Sequence, residues 1–158
     1  MPLSFRRVVT GHDADGRAII QIDEMARNLA SSRPGATAGV VWTTEGFPVD
    51  NNGDADQGQR RTGTTLANGT VFRVLELMPG SAPRNHRTDS IDYAVVMSGE
   101  IDMELDGSSV HLKAGDVLVQ RGTIHNWVNR GTEPCVIAFV LIAANPVVKG
   151  GKVLNAQG

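Results

Sequence analysis

The sequence predicts an all-β fold, a sandwich or barrel of antiparallel strands with an extended N-terminal arm. Three observations lead there. From about Thr70 onward apolar and polar residues alternate with a period of two. Turn signals interrupt that alternation every eight to twelve residues. No helical pattern separates one strand from the next, which is the signature of antiparallel sheets packed face to face.

Residues 1–64 read as an arm that cannot enclose a core alone, because its β-like pieces are short: Arg7-Val8-Val9, Ala18 to Ile22, and Gly39 to Trp42. Asp23 to Ala30 is expected to form two helical turns, with Asp23 as N-cap and Pro34 blocking extension. Asp50 to Arg61 is polar, glycine-bearing and aperiodic, so it reads as an exposed loop. It lacks the bidentate Glu that an EF-hand needs at its twelfth position.

The barrel is assigned to residues 65–147. Its strands are Val71 to Met78, Ile91 to Met97, Ile101 to Leu105, Val110 to Lys113, Val117 to Gln120, His125 to Val128 and Val136 to Ile142. Pro79-Gly80, Ser98-Gly99, Ala114-Gly115 and Arg121-Gly122 punctuate them. Asp106-Gly107, between alternating apolar residues, is a hairpin signal. Met78, Met97, Met103 and Phe139 read as packing residues, and residues 148–158 as a C-terminal tail.

At 158 residues the chain suits one domain that buries roughly two thirds of its unfolded surface. Fifteen Lys and Arg against 17 Asp and Glu leave a net charge of −2, which provides no basic face for nucleic acid or anionic lipid. Cys135 is the only cysteine and opens an apolar run to Ile142, so an inert, buried thiol is expected. Nothing approaches the ~18 apolar residues of a membrane span, and Met1 to Thr10 holds no signal core, so a cytoplasmic, soluble protein is the expectation. Phosphate-cradle and Gly-x-Ser-x-Gly motifs are absent.

Because side chains on a strand alternate between faces, His86, Thr88, Ser90 and Asp92 share one face. His125 follows another glycine-bounded strand and can close the same site. Two imidazoles and a carboxylate converging at ~2.0 to 2.2 Å suit Fe(II), Mn, Zn or Ni, with positions left open to water or substrate. The plainer reading makes His86 and His125 hydrogen-bonded pocket residues, with Asp92 capping a turn or pairing with Arg84 or Arg87. Parity with His125 puts Trp127 inside, as an aromatic wall for a ring-shaped substrate, and Gln120 can point inward to hydrogen-bond a ligand. His111 belongs on the outer face and His12 at a hairpin tip.

These residues resemble the paired motifs of the cupins, in the small single-domain form, over about residues 65–147, which implies a jelly-roll barrel or double-stranded β-helix. Gly80, His86, Thr88, Asp92 and Gly99 stand at the places of the first motif. Gly115, Arg121, His125 and Asn129 fill the second, with Gly122 one position early. The runs His86 to Tyr93 and Val119 to His125 also resemble a subgroup of small cupins. Two departures stand out: Thr88 occupies the place of the second motif histidine, and Asp92 replaces a glutamate.

The resemblance implies one divalent metal per subunit (Fe, Mn, Zn or Ni) held by His86, Asp92 and His125, with Thr88 as a pocket or water-holding group. It implies an enzyme acting on a small organic acid or phenolic compound: an oxygenase, decarboxylase or isomerase. The alternative is a metal-free barrel that binds or senses a small molecule, which the missing histidine favours. An exposed β edge is usually covered, and the arm can cover a neighbour's, so a homodimer is expected.

Overall fold

The computed structural model describes residues 2–158. Its strands are β1 (Arg6–His12), β2 (Ala18–Met25), β3 (Leu29–Arg33), β4 (Ala36–Glu45), β5 (Gly69–Leu77), β6 (Ser90–Ser98), β7 (Glu100–Glu104), β8 (Ser109–Lys113), β9 (Val117–Arg121), β10 (Asn126–Val128), β11 (Cys135–Ala143), β12 (Val147–Lys149) and β13 (Lys152–Leu154). Among the described residues the only helical piece is a 3-10 turn at Gln57–Gln59.

A six-stranded sheet, β3-β4-β5-β11-β6-β9, faces a three-stranded one, β10-β7-β8, and all their pairings are antiparallel. From β6 to β11 the chain crosses repeatedly between the two: β6 large, β7 and β8 small, β9 large, β10 small, β11 large. That alternation rolls a meander into a double-stranded β-helix. Gly99, Gly115 and Gly122 sit at the crossings. At Gly99 the requirement is strict, because φ is 74° and a Cβ would lie 2.5 Å from the Pro134 carbonyl oxygen.

Register stacks the interior in layers along β11, the strand between β5 and β6. Cys135 lies opposite Leu77, and Ile137 opposite Leu75 and Val96. Phe139 lies opposite Arg73 and Ala94, and Leu141 opposite Val71 and Asp92. The small sheet adds Ile101 paired with Leu112, and Met103 paired with Trp127. All the apolar members belong to one core. One end of the barrel is therefore closed by aliphatic side chains while the other turns polar. Burial raises the Cys135 thiol to about 11, so it is inert.

Residues 29–45 extend the larger sheet by two strands, and β1 and β2 form a separate hairpin. That hairpin is tied down by Arg7, a buried guanidinium that donates to both oxygens of Asp56 at 2.6 Å and to Glu24 at 2.7 Å. The expected loop over 50–61 is exposed through Ala55 and again at Gln59 and Arg61, but between them it turns inward so that Asp56 reaches Arg7 and Gly58 is buried.

The helical turns expected over Asp23 to Ala30 do not form. β2 runs through Met25 because it pairs along its length with β1, and Arg6 holds Asp23 across that ladder at 2.7 Å, so tertiary pairing overrides local propensity. Met103 and Phe139 are core residues, whereas Met78 and Met97 are exposed. Met97 shares the outer parity of Tyr93 and Val95 on β6. Val147–Lys149 and Lys152–Leu154 pair as the β12–β13 hairpin, and Gln157 bridges to Arg87. Among the described residues no helix is long and apolar enough to cross a membrane.

Candidate active site

The two histidines come together through the backbone. His86 and His125 form an antiparallel bridge in which each N–H donates to the other's carbonyl at 3.0 Å. Paired residues of such a bridge project to the same side, and the ring centroids are 4.2 Å apart. Each Nδ1 lies 3.0 Å from the carbonyl two residues upstream, Arg84 for His86 and Thr123 for His125. A carbonyl only accepts, so each Nδ1 carries the proton and each Nε2 presents a lone pair. Burial, reinforced by His125, pushes His86 down to about 4. His125 is also lowered, by burial and then by Arg84. Both imidazoles are neutral at pH 7.

Inside strand β6 and its approach, alternation places Thr88, Ser90 and Asp92 on one buried face. Ser90 Oγ donates to Asp92 Oδ1 at 2.6 Å, which uses its only proton. Thr88 Oγ1, 2.8 Å from Ser90 Oγ, is therefore the donor in that contact. Gln120, opposite Asp92 on β9, donates from Nε2 to Asp92 Oδ2 at 3.2 Å. Burial raises the Asp92 carboxyl, with Ser90 and Arg73 acting in the other direction.

The imidazoles open into a cavity of about 580 Å³ in the mouth of the barrel. An edge-on aromatic series walls one side: His125 to Trp127 at 5.9 Å, and Trp127 to Phe139 at 5.8 Å. Of the residues singled out from the sequence, His86, Thr88, Asp92, His125 and Trp127 all line this cavity. Gln120 faces inward but stands behind Asp92, with its Oε1 buried and without a partner. His111 lies exposed on β8 beside Asp102 and Glu100, and His12 ends β1. Asn129 is structural: its amide donates to the carbonyls of Leu77 and Glu133.

Sequence reasoning missed four arginines on the cavity wall, Arg33, Arg60, Arg61 and Arg73, and named the fifth, Arg84, only as a partner for Asp92. The available signal was Arg73, which sits at the inward parity of β5 between Val71 and Leu75. Arg73 is also the cation that acts on Asp92, in place of Arg84 or Arg87. Arg84 instead donates to the Gly158 carbonyl at 3.1 Å, and Arg87 to that of Asn155 at 3.5 Å.

As a metal site the residue set is incomplete. The imidazoles suit a metal well, since Nδ1–H tied to a carbonyl is the arrangement that aims Nε2 at an ion. Asp92 does not complete them: its oxygens accept from Ser90 and Gln120. Among the described residues no three His, Cys, Asp or Glu side chains are grouped to hold an ion.

A small barrel of two rolled sheets with a histidine pair in its mouth defines the cupin class, and the comparisons agree. The Cupin domain pattern matches residues 73–142. The chain is 36% identical to the cupin-domain-containing oxidoreductase fogC of Aspergillus ruber, over 92% of this chain and 76% of that one. It is 37% identical to the Phomopsin biosynthesis cluster protein C' of Diaporthe leptostromiformis, over 94% and 84%. In structure it resembles an RmlC-like cupin from Shewanella frigidimarina, with TM-score 0.51 and 13% identity over 75% of this chain and 85% of that one. The protein belongs to the cupin family.

Proposed function

We propose that the protein is an enzyme of small-molecule metabolism, acting on a ring-bearing organic acid or phenol, with the His86–His125 pair as its reactive centre. The observation that carries this reading is the pair itself: two neutral imidazoles, each with its tautomer fixed, presenting Nε2 to one cavity. The names of its relatives, cupin-domain oxidoreductases and biosynthesis-cluster proteins, support small-molecule chemistry.

The chain's own residues can carry out proton transfer. One Nε2 takes a proton from a substrate O–H or acidic C–H, the first step both in oxidising a phenol and in isomerising an enolisable acid. Two imidazoles this close resist a second positive charge, so the pair takes up one added proton and the other Nε2 stays a base. Trp127 and Phe139 hold the ring.

Phenylpyruvate tests this, since it carries a ring, a carboxylate and exchangeable C3 protons. In D2O, followed by proton NMR, the protein is expected to accelerate C3 deuteration, and His86→Gln and His125→Gln each to lose about 100-fold. Wild-type exchange no faster than buffer sinks proton transfer and leaves the non-catalytic binding barrel.

The second reading, a divalent ion (Fe, Mn, Zn or Ni) on His86, His125 and Asp92, is favoured by the two fixed tautomers. It requires Asp92 to leave Ser90 and Gln120. Stoichiometric metal in protein purified without chelator, lost in His86→Ala and in Asp92→Ala, supports it. We also propose a homodimer, because the outer face of β6 and the edge strand β9 exposes Tyr93, Val95, Met97, Val117 and Val119. A light-scattering mass of one chain at micromolar concentration counts against it.

A further inference from the structure

The cavity wall carries more positive charge than the protein neutralises. Arg60 pairs with Glu45 at 2.8 Å and Arg61 is exposed to solvent, so both are set aside. Arg33, Arg73 and Arg84 make no ion pair among the described residues. Their anchors are uncharged or missing: Arg33 Nε donates to the Ala82 carbonyl at 2.8 Å, Arg84 donates to the Gly158 carbonyl, and Arg73 rises from mid-strand beside Phe139 and Val40.

The three guanidiniums also act on one another. Burial lowers Arg73, and Arg84 and Arg33 lower it further, with Asp92 the one opposing charge. Burial and then Arg84 lower Arg33 in turn. A fold gains nothing from gathering like charges around a partly buried space without a counter-charge. The carboxylate that is present, Asp92, is already engaged by Ser90 and Gln120.

We propose that Arg33, Arg73 and Arg84 form an anion cradle that binds the substrate's carboxylate, so that the cavity selects organic acids over neutral molecules of the same shape. The planar guanidinium fork matches a carboxylate in two parallel hydrogen bonds. Arg73 lies in the layer of Phe139, so a carboxylate docked there leaves the ring of an aromatic acid against Phe139 and Trp127. The acid's body then lies beside the imidazoles, since His86 and His125 line the same cavity as the three arginines. This inference rests on the same cavity being the substrate site, and it narrows the substrate from acid or phenol to acid.

The test uses benzoate and benzamide, which share a shape and differ in charge, with binding measured by calorimetry. Wild-type protein is expected to bind benzoate at least about tenfold tighter than benzamide, the discrimination of a charged hydrogen-bond pair. Added NaCl weakens benzoate alone. Arg73→Gln is expected to abolish the preference and raise Tm, because it removes a crowded cation that no protein carboxylate pairs. Arg33→Gln and Arg84→Gln reduce the preference without unfolding the protein.

Equal affinity for the two compounds, or no binding of either, overturns the proposal. So does a preference that survives all three substitutions, or a lower Tm in Arg73→Gln, which assigns that arginine to the fold. The measurement separates from the proton-transfer reading through the double variant His86→Gln/His125→Gln, expected to keep the benzoate preference while losing phenylpyruvate exchange. Loss of the preference in that variant overturns the cradle.

Discussion

The two ends of the barrel interior are built on the same three strands and differ in almost every side chain. At the closed end β5, β6 and β11 contribute Leu75, Leu77, Val96, Cys135 and Ile137. Over the next three layers the same strands contribute Arg73, then Asp92 and Leu141, then Ser90. The β11–β5 ladder runs in one register from end to end, and the β11–β6 ladder slips once, between Val136 and Ile137, so from there to the mouth the difference lies in what the inward positions carry. Each buried aliphatic side chain at the closed end stabilises the fold by about 1.5–3 kcal/mol. The mouth gathers cations, neutral imidazoles and a buried carboxyl. One end holds the sheet closed so that the other can keep groups that would not assemble by themselves.

The largest expected effect breaks the closed end. Ile137 is fully buried between Leu75 and Val96, and Ile137→Ala is expected to cost about 2–5 kcal/mol in denaturant unfolding. Its folded fraction still binds benzoate like wild type, because Ile137 does not line the cavity. A smaller stability loss accompanied by weaker binding shows that the two ends are not separable.

At the mouth, Thr88→His supplies the third imidazole that the cupin motif has at that place. Zn or Ni affinity is expected to rise at least about tenfold, or ~1.4 kcal/mol. Equal metal content in variant and wild type, read by elemental analysis, shows that the wild-type set is already sufficient. Thr88→Val is milder. It removes the hydroxyl that donates to Ser90, and about 1 kcal/mol of stability is expected to go with it. A change near zero in the urea midpoint removes the Thr88–Ser90–Asp92 chain from the account.

Much of this architecture was legible in the sequence because its rules are local. A period of two gave the barrel strands, and glycine at the crossings marked where the chain changes sheets. Strand parity joined His86, Thr88, Ser90 and Asp92, and the distant His125 proved to be bridged to His86. What stayed hidden depends on register between strands far apart in the chain. Gln120 stands behind Asp92 only because β9 pairs with β6 in one alignment. Arg33 and Arg84 meet Arg73 across β3, β5 and the segment before β6, a juxtaposition no window of sequence contains. The helical turns expected after Asp23 failed for the same reason, since the β1 partner lies outside the window that suggested them. Met97 was a different error: its parity with Tyr93 already placed it outside.

The smallest effect contrasts the barrel's two surfaces through histidine. His86 and His125, inside, are held neutral by burial, whereas exposed His111 is raised by its hydrogen bond to Asp102 at 2.7 Å and then by the charges of Asp102 and Glu100. Arg130 is the cation nearby, donating to the other oxygen of Asp102 at 2.6 Å. A folded-state pKa above the unfolded value of about 6.5 means that this contact contributes fully below pH 6.5 and is lost as pH rises through the folded value. At so exposed a site solvent screens the contribution, so the ring's own titration reports it better than unfolding does. In nitrogen-15 NMR the His111 midpoint is expected above 6.5 and to fall in Asp102→Asn, while the two inner rings show unprotonated Nε2 at pH 7. Inner rings that are protonated at pH 7 would undo the contrast between the surfaces, and with it the lone pairs on which proton transfer depends.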